Sequence, residues 1–149
     1  MKILMIVRHG EYGNDDRLNE IGRRQIADLA EKLGGYTNGG SVLLLTSPAD
    51  RAHESAEIIG FHFGVELEDH EVLWSDNRHS EDFPSALELI KSRQGDADIL
   101  ILVTHLEYVE SLPAYFASEE LGVELNCREI KKGEAWVVDC SQKSLTHVV

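Results

Sequence analysis

Three short apolar runs, Ile3–Val7, Val42–Leu45 and Ile99–Val103, each stop abruptly at a polar cluster, and this restricts the fold more than any other feature of the chain. Continuous apolar runs of this length read as strands buried on both faces. Helical spacing fills the gaps between them. Behind Asn19 as cap, Ile21, Ile26, Leu29, Ala30 and Leu33 fall on one stripe, and Gly34-Gly35 closes the helix. A second helix follows Thr46-Ser47-Pro48, with Ala52, Ala56, Ile58 and Ile59 among its apolar positions and Gly60 or Gly64 near its end. Pro84 suits the first turn of a third helix reaching about Arg93, and a fourth is expected from about Glu107 to Phe116. Val65–Leu67 reads as a short edge strand, and 66–82 as an acidic exposed loop anchored by Leu73 and Trp74. The remainder reads as two or three strands, with Lys131-Lys132-Gly133 and Ser141-Gln142-Lys143 as hairpin turns. This order predicts an α/β protein: a three-layer α/β/α sandwich with a mainly parallel central sheet and an antiparallel C-terminal edge.

The 149 residues fit one domain spanning 1–149. A net charge of −13, from 14 basic and 27 acidic side chains, argues against nucleic acid and anionic membrane surfaces as partners. It leaves room for a phosphate ligand, because a few arginines focused in one cleft can outweigh the global field. The run Ile3–Val7 is too short for a signal-peptide core, and no segment approaches membrane-spanning length, so the cytoplasm is the expected compartment. Cys127 and Cys140 are expected as reduced, buried thiols, although neighbouring strands there would also permit a disulfide. The glycine-rich stretch Thr37–Ser41 lacks the Gly-Lys-Ser/Thr of a phosphate-binding loop and reads as a connector.

In a sheet of this kind ligands bind outside the carboxyl ends of the strands. The first run delivers Arg8, His9 and Gly10 there, the second Ser47 and then Arg51, and the third Thr104 and His105. Two arginines and two histidines thus converge from distant parts of a chain with few bases. These residue types fit phosphoryl transfer, in which negative charge on the equatorial oxygens requires fixed donors. Arginine offers a planar, permanently charged fork. A neutral imidazole is a nucleophile, and Arg8 and Arg51 would keep His9 unprotonated. Gly10 would let the backbone approach the phosphate. Ser47 and Thr104 read as caps, and Asn14, in the loop after the nucleophile together with Glu11, is a candidate pocket residue.

These residues resemble the histidine phosphatase superfamily, the group that includes cofactor-dependent phosphoglycerate mutases. The resemblance runs from Lys2 to about Phe116. It is carried by LMIVRHGE at 4–11, LNEIGRRQI at 18–26, SPADRAHESA at 47–56 and ILILVTHLEYV at 99–109. It implies that His9 becomes phosphorylated and that Arg8, Arg51 and His105 hold the phosphoryl group. It also implies a phosphoglycerate mutase-like fold with neither metal nor cofactor. His53, His62, His70 and His79 are too dispersed for a metal site and read as surface residues.

Two departures bear on the substrate. Many members carry a proton-donating Glu or Asp between the second arginine and the second histidine. Here that stretch reads HEVLWSDNRHSED, in which Asp76 is the leading candidate with Glu71 and Glu81 behind it. The chain also has little room for a lid, and Leu106 stands where many members have Gly. In both respects it resembles the small bacterial signal-inhibitory phosphohistidine phosphatases. The expected substrate is therefore protein phosphohistidine, whose P–N bond needs less acid assistance than an ester. A small phosphorylated metabolite is the alternative, and a non-catalytic phosphate-binding module is the alternative of another class.

Overall fold

The computed structural model describes residues 1–149. Six strands form one sheet: β1 (Ile3–Arg8), β2 (Val42–Thr46), β3 (Leu67–Asp69), β4 (Ile99–Thr104), β5 (Ala135–Asp139) and β6 (Ser144–Val148). Their spatial order is β3-β2-β4-β1-β5-β6. The first four run parallel, while β5 pairs antiparallel with both β1 and β6. Fold class and antiparallel edge agree with the reading of the sequence.

Strand alternation splits the core in two. Met5, Val7, Ile101 and Val103 face α1 (Glu20–Gly34) and α2 (Asp50–Phe63). Leu4, Ile6, Leu100 and Leu102 face α3 (Phe83–Arg93), α4 (Leu106–Val109) and α5 (Leu112–Phe116). The Asn19 side chain caps α1 by accepting the Gly22 N–H at 2.9 Å, and Gly64, at φ 68°, ends α2 in the left-handed conformation.

Several boundaries differ from expectation. The helix expected over 107–116 is broken: α4 stops after four residues, and α5 restarts with Pro113 in its first turn. A proline there lacks the N–H that a continuous helix would need. The edge strand begins at Leu67 rather than Val65, because Val65 is used by α2: its N–H bonds to Gly60 O. Lys131-Lys132-Gly133 turns the chain without joining two strands, since nothing between Gly122 and Gly133 enters the sheet. Cys127 lies in that segment and Cys140 in the turn after β5; both thiols are free and half-buried.

Helix α1 lies against the segment that follows β1. A Cβ on Gly10 would come within 2.7 Å of Gly22 O, and one on Gly22 would overlap the Glu11 carbonyl. Because backbone atoms cannot yield as a side chain can, Gly22→Ala is expected to destabilise the fold by about 3 kcal/mol. Urea unfolding checks this: a midpoint unchanged from wild type would show that α1 can shift freely.

Candidate active site

The parallel strands end level with one another. Arg8 pairs with Thr104 and Thr46 with Val103. Immediately beyond, the His9 N–H donates to Thr104 O at 3.2 Å and the Ser47 N–H to Val103 O at 2.9 Å. The strand ladder therefore fixes where His9, Ser47 and His105 leave the sheet. The His9 and His105 rings lie edge-on with centroids 5.1 Å apart, and Arg51 reaches them from the first turn of α2. Arg8, His9, Arg51 and His105 line one cleft of about 220 Å³ with Tyr12, Ser75, Asp76, Asn77, Leu106, Glu107 and Lys132.

His9 is 4% exposed, and its Nδ1 lies 3.0 Å from Gly10 O. A carbonyl can only accept, so Nδ1 carries the proton and Nε2 keeps its lone pair. Burial, followed by the Arg51, Arg8 and Lys132 charges, lowers the His9 pKa to about 3 despite the opposing bond to Gly10. Burial together with His9 and Arg51 lowers that of His105 to about 2. Both imidazoles are neutral at ordinary pH.

Four buried side-chain polar atoms have no protein partner: Arg8 Nε, Arg51 Nε, Ser75 Oγ and His105 Nδ1. All four belong to residues on the wall of this cleft. Unpaired buried polar groups cost enough that native proteins keep few of them. Four of them on residues of one cleft wall, beside an unprotonated imidazole, suit a receptor for a group rich in acceptor oxygens. Ser47 Oγ accepts the Ala49 N–H at 3.3 Å and lies 2.8 Å from His105 Nε2. If its hydroxyl proton goes to Nε2, the His105 proton sits on Nδ1, the partnerless atom.

Asp76 is on the wall, held as an acceptor. Its Oδ1 takes the Arg78 and His79 N–H groups at 2.7 and 2.9 Å, and its Oδ2 takes Trp74 Nε1 at 2.8 Å. His79 Nδ1 lies 3.1 Å from Oδ1, and the His79 ring stacks on Trp74 with centroids 4.0 Å apart. Burial alone would raise the Asp76 pKa, but these bonds outweigh it and hold the carboxyl well below the usual range. The side chain thus braces the loop and sits 3.9 Å from Arg51 Nη2. Glu71 and Glu81 do not reach the wall. His79, read from sequence as a surface residue, belongs to this support.

Gly10 and Asn14 are not on the wall. The Gly10 N–H donates to Ser55 Oγ at 3.1 Å, and its bare Cα serves the approach to Gly22. Asn14 is exposed on a tight hairpin closed by the Tyr12–Leu18 bridge. Asp16 of that hairpin, at φ 66°, is the residue that reaches the site, placing Oδ1 2.5 Å from Arg51 Nη1. Thr104 donates to Leu73 O at 2.6 Å and so holds the loop rather than a ligand.

Sequence reasoning also missed Tyr12 and Lys132. The Tyr12 ring packs against His9, with Arg51 Cζ and Lys132 Nζ 5.1 and 5.0 Å from its centroid. Lys132 is delivered by Gly133, which at φ 78° directs its N–H to Arg8 O and His9 O. A paired lysine in so acidic a chain was the one available signal. No group of three or more His, Cys, Asp or Glu side chains is placed to hold a metal ion, and no helix is long and apolar enough to cross a membrane.

Fold and cleft together place two neutral histidines and two arginines at the strand ends of a phosphoglycerate mutase-like α/β sandwich. The sequence model of the histidine phosphatase superfamily (branch 1) matches residues 4–74. Solved structures match along the whole chain. The protein histidine phosphatase SixA in complex with tungstate is 18% identical, with a TM-score of 0.69 over 99% of this chain and 94% of that one. A mycobacterial glucosyl-3-phosphoglycerate phosphatase is 17% identical, with a TM-score of 0.64 over 100% and 98%. "Mycobacterial hydrolase 1" is 16% identical, with a TM-score of 0.65 over 99% and 97%. No curated protein gives a significant match to the sequence. The first half of the chain thus matches the histidine phosphatase superfamily, and the likeness to solved phosphatases extends the shared fold over its whole length.

Proposed function

We propose that the chain hydrolyses protein phosphohistidine through a phosphorylated His9. The observation that carries the phosphatase reading is that all four partnerless buried polar atoms belong to residues lining one cleft with the unprotonated His9. In the first step Nε2 attacks phosphorus and the bond to the leaving group breaks. Arg8, Arg51, Ser75 and His105 donate to the equatorial oxygens, each held in place before substrate arrives. Water then attacks the phosphoryl group on His9, inorganic phosphate leaves and the imidazole is restored.

Three features support a protein substrate. The cleft is small, about 220 Å³, and no inserted lid covers it, so a phosphorylated side chain standing on a surface can enter. Asp76 is fixed as an acceptor, and a P–N bond depends less than an ester on a proton donor in that loop. The SixA likeness points the same way, whereas the glucosyl-3-phosphoglycerate phosphatase likeness favours a small phosphomonoester.

Turnover of a phosphohistidine-bearing protein, measured beside that of p-nitrophenyl phosphate and phosphoglycerate, tests the assignment. The expected result is a kcat/KM at least tenfold higher for the phosphoprotein. A higher value for phosphoglycerate would assign a small metabolite. Absence of turnover, with phosphate bound reversibly, would leave a non-catalytic binding module.

A further inference from the structure

Four carboxylates stand in or beside the cleft, and three are already engaged. Asp16 pairs with Arg51, Asp76 accepts from Trp74, Arg78 and His79, and Glu11 pairs with Lys132 at 3.5 Å. The fourth, Glu107, lines the cleft with His9 and His105 and has neither a hydrogen bond nor an ion pair. It is half-buried, in the first turn of α4, two residues beyond His105. Main-chain bonds fix that turn: Tyr108 N–H and Val109 N–H donate to His105 O at 3.1 and 3.0 Å. The buried Tyr108 ring secures it, its hydroxyl donating to Val72 O and accepting the Asp82 N–H at 2.8 Å. The Glu107 backbone is therefore tied to the same strand end as His105, while its carboxyl group stays uncommitted.

We infer that Glu107, and not Asp76, is the proton donor and acceptor of the phosphoryl-transfer cycle. This rests on the phosphatase reading above and adds a catalytic residue to it. As His9 Nε2 bonds to phosphorus, the bond to the leaving oxygen or nitrogen breaks and the Glu107 proton passes to that atom. In the second step the Glu107 carboxylate removes a proton from the attacking water as the P–Nε2 bond breaks. The proton given up in the first half is recovered in the second.

Leaving-group dependence separates a proton donor from a residue that merely shapes the site. Glu107→Gln keeps size and polarity at a half-exposed position and cannot donate an acidic proton. Its kcat/KM reports the phosphorylation half alone, and for p-nitrophenyl phosphate, whose phenolate departs unaided, it is expected within about threefold of wild type. The kcat of this variant falls, because the shared dephosphorylation step loses its base. The kcat/KM for an alkyl phosphate such as phosphoglycerate is expected to fall by roughly 100-fold or more. Asp76→Asn, which loosens the loop bearing Ser75, is expected to lower both kcat/KM values by a similar factor. Equal losses of kcat/KM for the two substrates in Glu107→Gln, or no loss in either, would overturn the role of Glu107. A selective loss in Asp76→Asn would return it to Asp76. Wild-type turnover of p-nitrophenyl phosphate is measured first, and its absence would reject the phosphatase reading itself.

Discussion

His9→Ala is expected to lower turnover of every phosphorylated substrate by roughly 10⁴-fold or more, because the covalent route is removed outright. The other imidazole on the cleft wall does not offer the same lone pair: His105 Nε2 is engaged with Ser47. The donors proposed to grip phosphate are untouched by the substitution. Affinity for inorganic phosphate should therefore stay within about tenfold of wild type, the sign that binding and chemistry have been separated. Acid-labile phosphate, trapped on the wild-type chain by rapid quenching, should be missing from the variant. Residual turnover within tenfold of wild type would mean that the phosphoryl group goes directly to water.

The second large effect is on stability in acid. His9 and His105 are held neutral in the fold, with pKa values near 3 and 2 against an ordinary 6.5. Below pH 6.5 the unfolded chain takes up protons at these positions and the folded chain does not. Stability is thus fully present above pH 6.5 and falls as pH drops toward 3, with an expected loss of several kcal/mol over that window. Carboxyl groups act in a lower window. Glu68, with its pKa lowered to about 2 chiefly by the Arg93 hydrogen bond, and Asp76 contribute stability that is present above about pH 4 and lost below it. The slope of unfolding free energy between pH 6.5 and 4.5 therefore belongs to the histidines, and His9→Ala should be visibly flatter there. A wild-type urea midpoint that does not move across this interval would contradict the burial of neutral imidazoles.

How much of this was legible depends on what kind of residue carried it. Arg8, His9, Arg51 and His105 could be placed because each sits at, or one turn beyond, the end of a strand whose apolar run is visible in the sequence. Periodicity locates strand ends, and the α/β architecture locates the ligand relative to them. Tyr12, Asp16 and Lys132 occupy loops, where position follows from single backbone events: a two-residue bridge, a left-handed Asp16, a left-handed Gly133. No pattern announces these. Asn14 illustrates the limit, since it lies two residues from Asp16 in the same hairpin and faces solvent. Gly10 shows another: its bare Cα was legible as a close approach, and the protein backbone it approaches is that of Gly22.

Strand order has a consequence for how such a chain comes into being. β1 and β2 never pair with each other; each pairs with β4, which fills the gap between them. Residues 3–8 must therefore wait for residues 99–104 before their backbone groups find a parallel partner, and the cleft at the strand ends has no partial form. During synthesis two strongly apolar strands stay unclaimed until two-thirds of the chain has been made, a long exposure to wrong pairing. Fragments ending before residue 99 should be prey to chaperones and proteases rather than weak enzymes, and activity should appear only in the last event of folding.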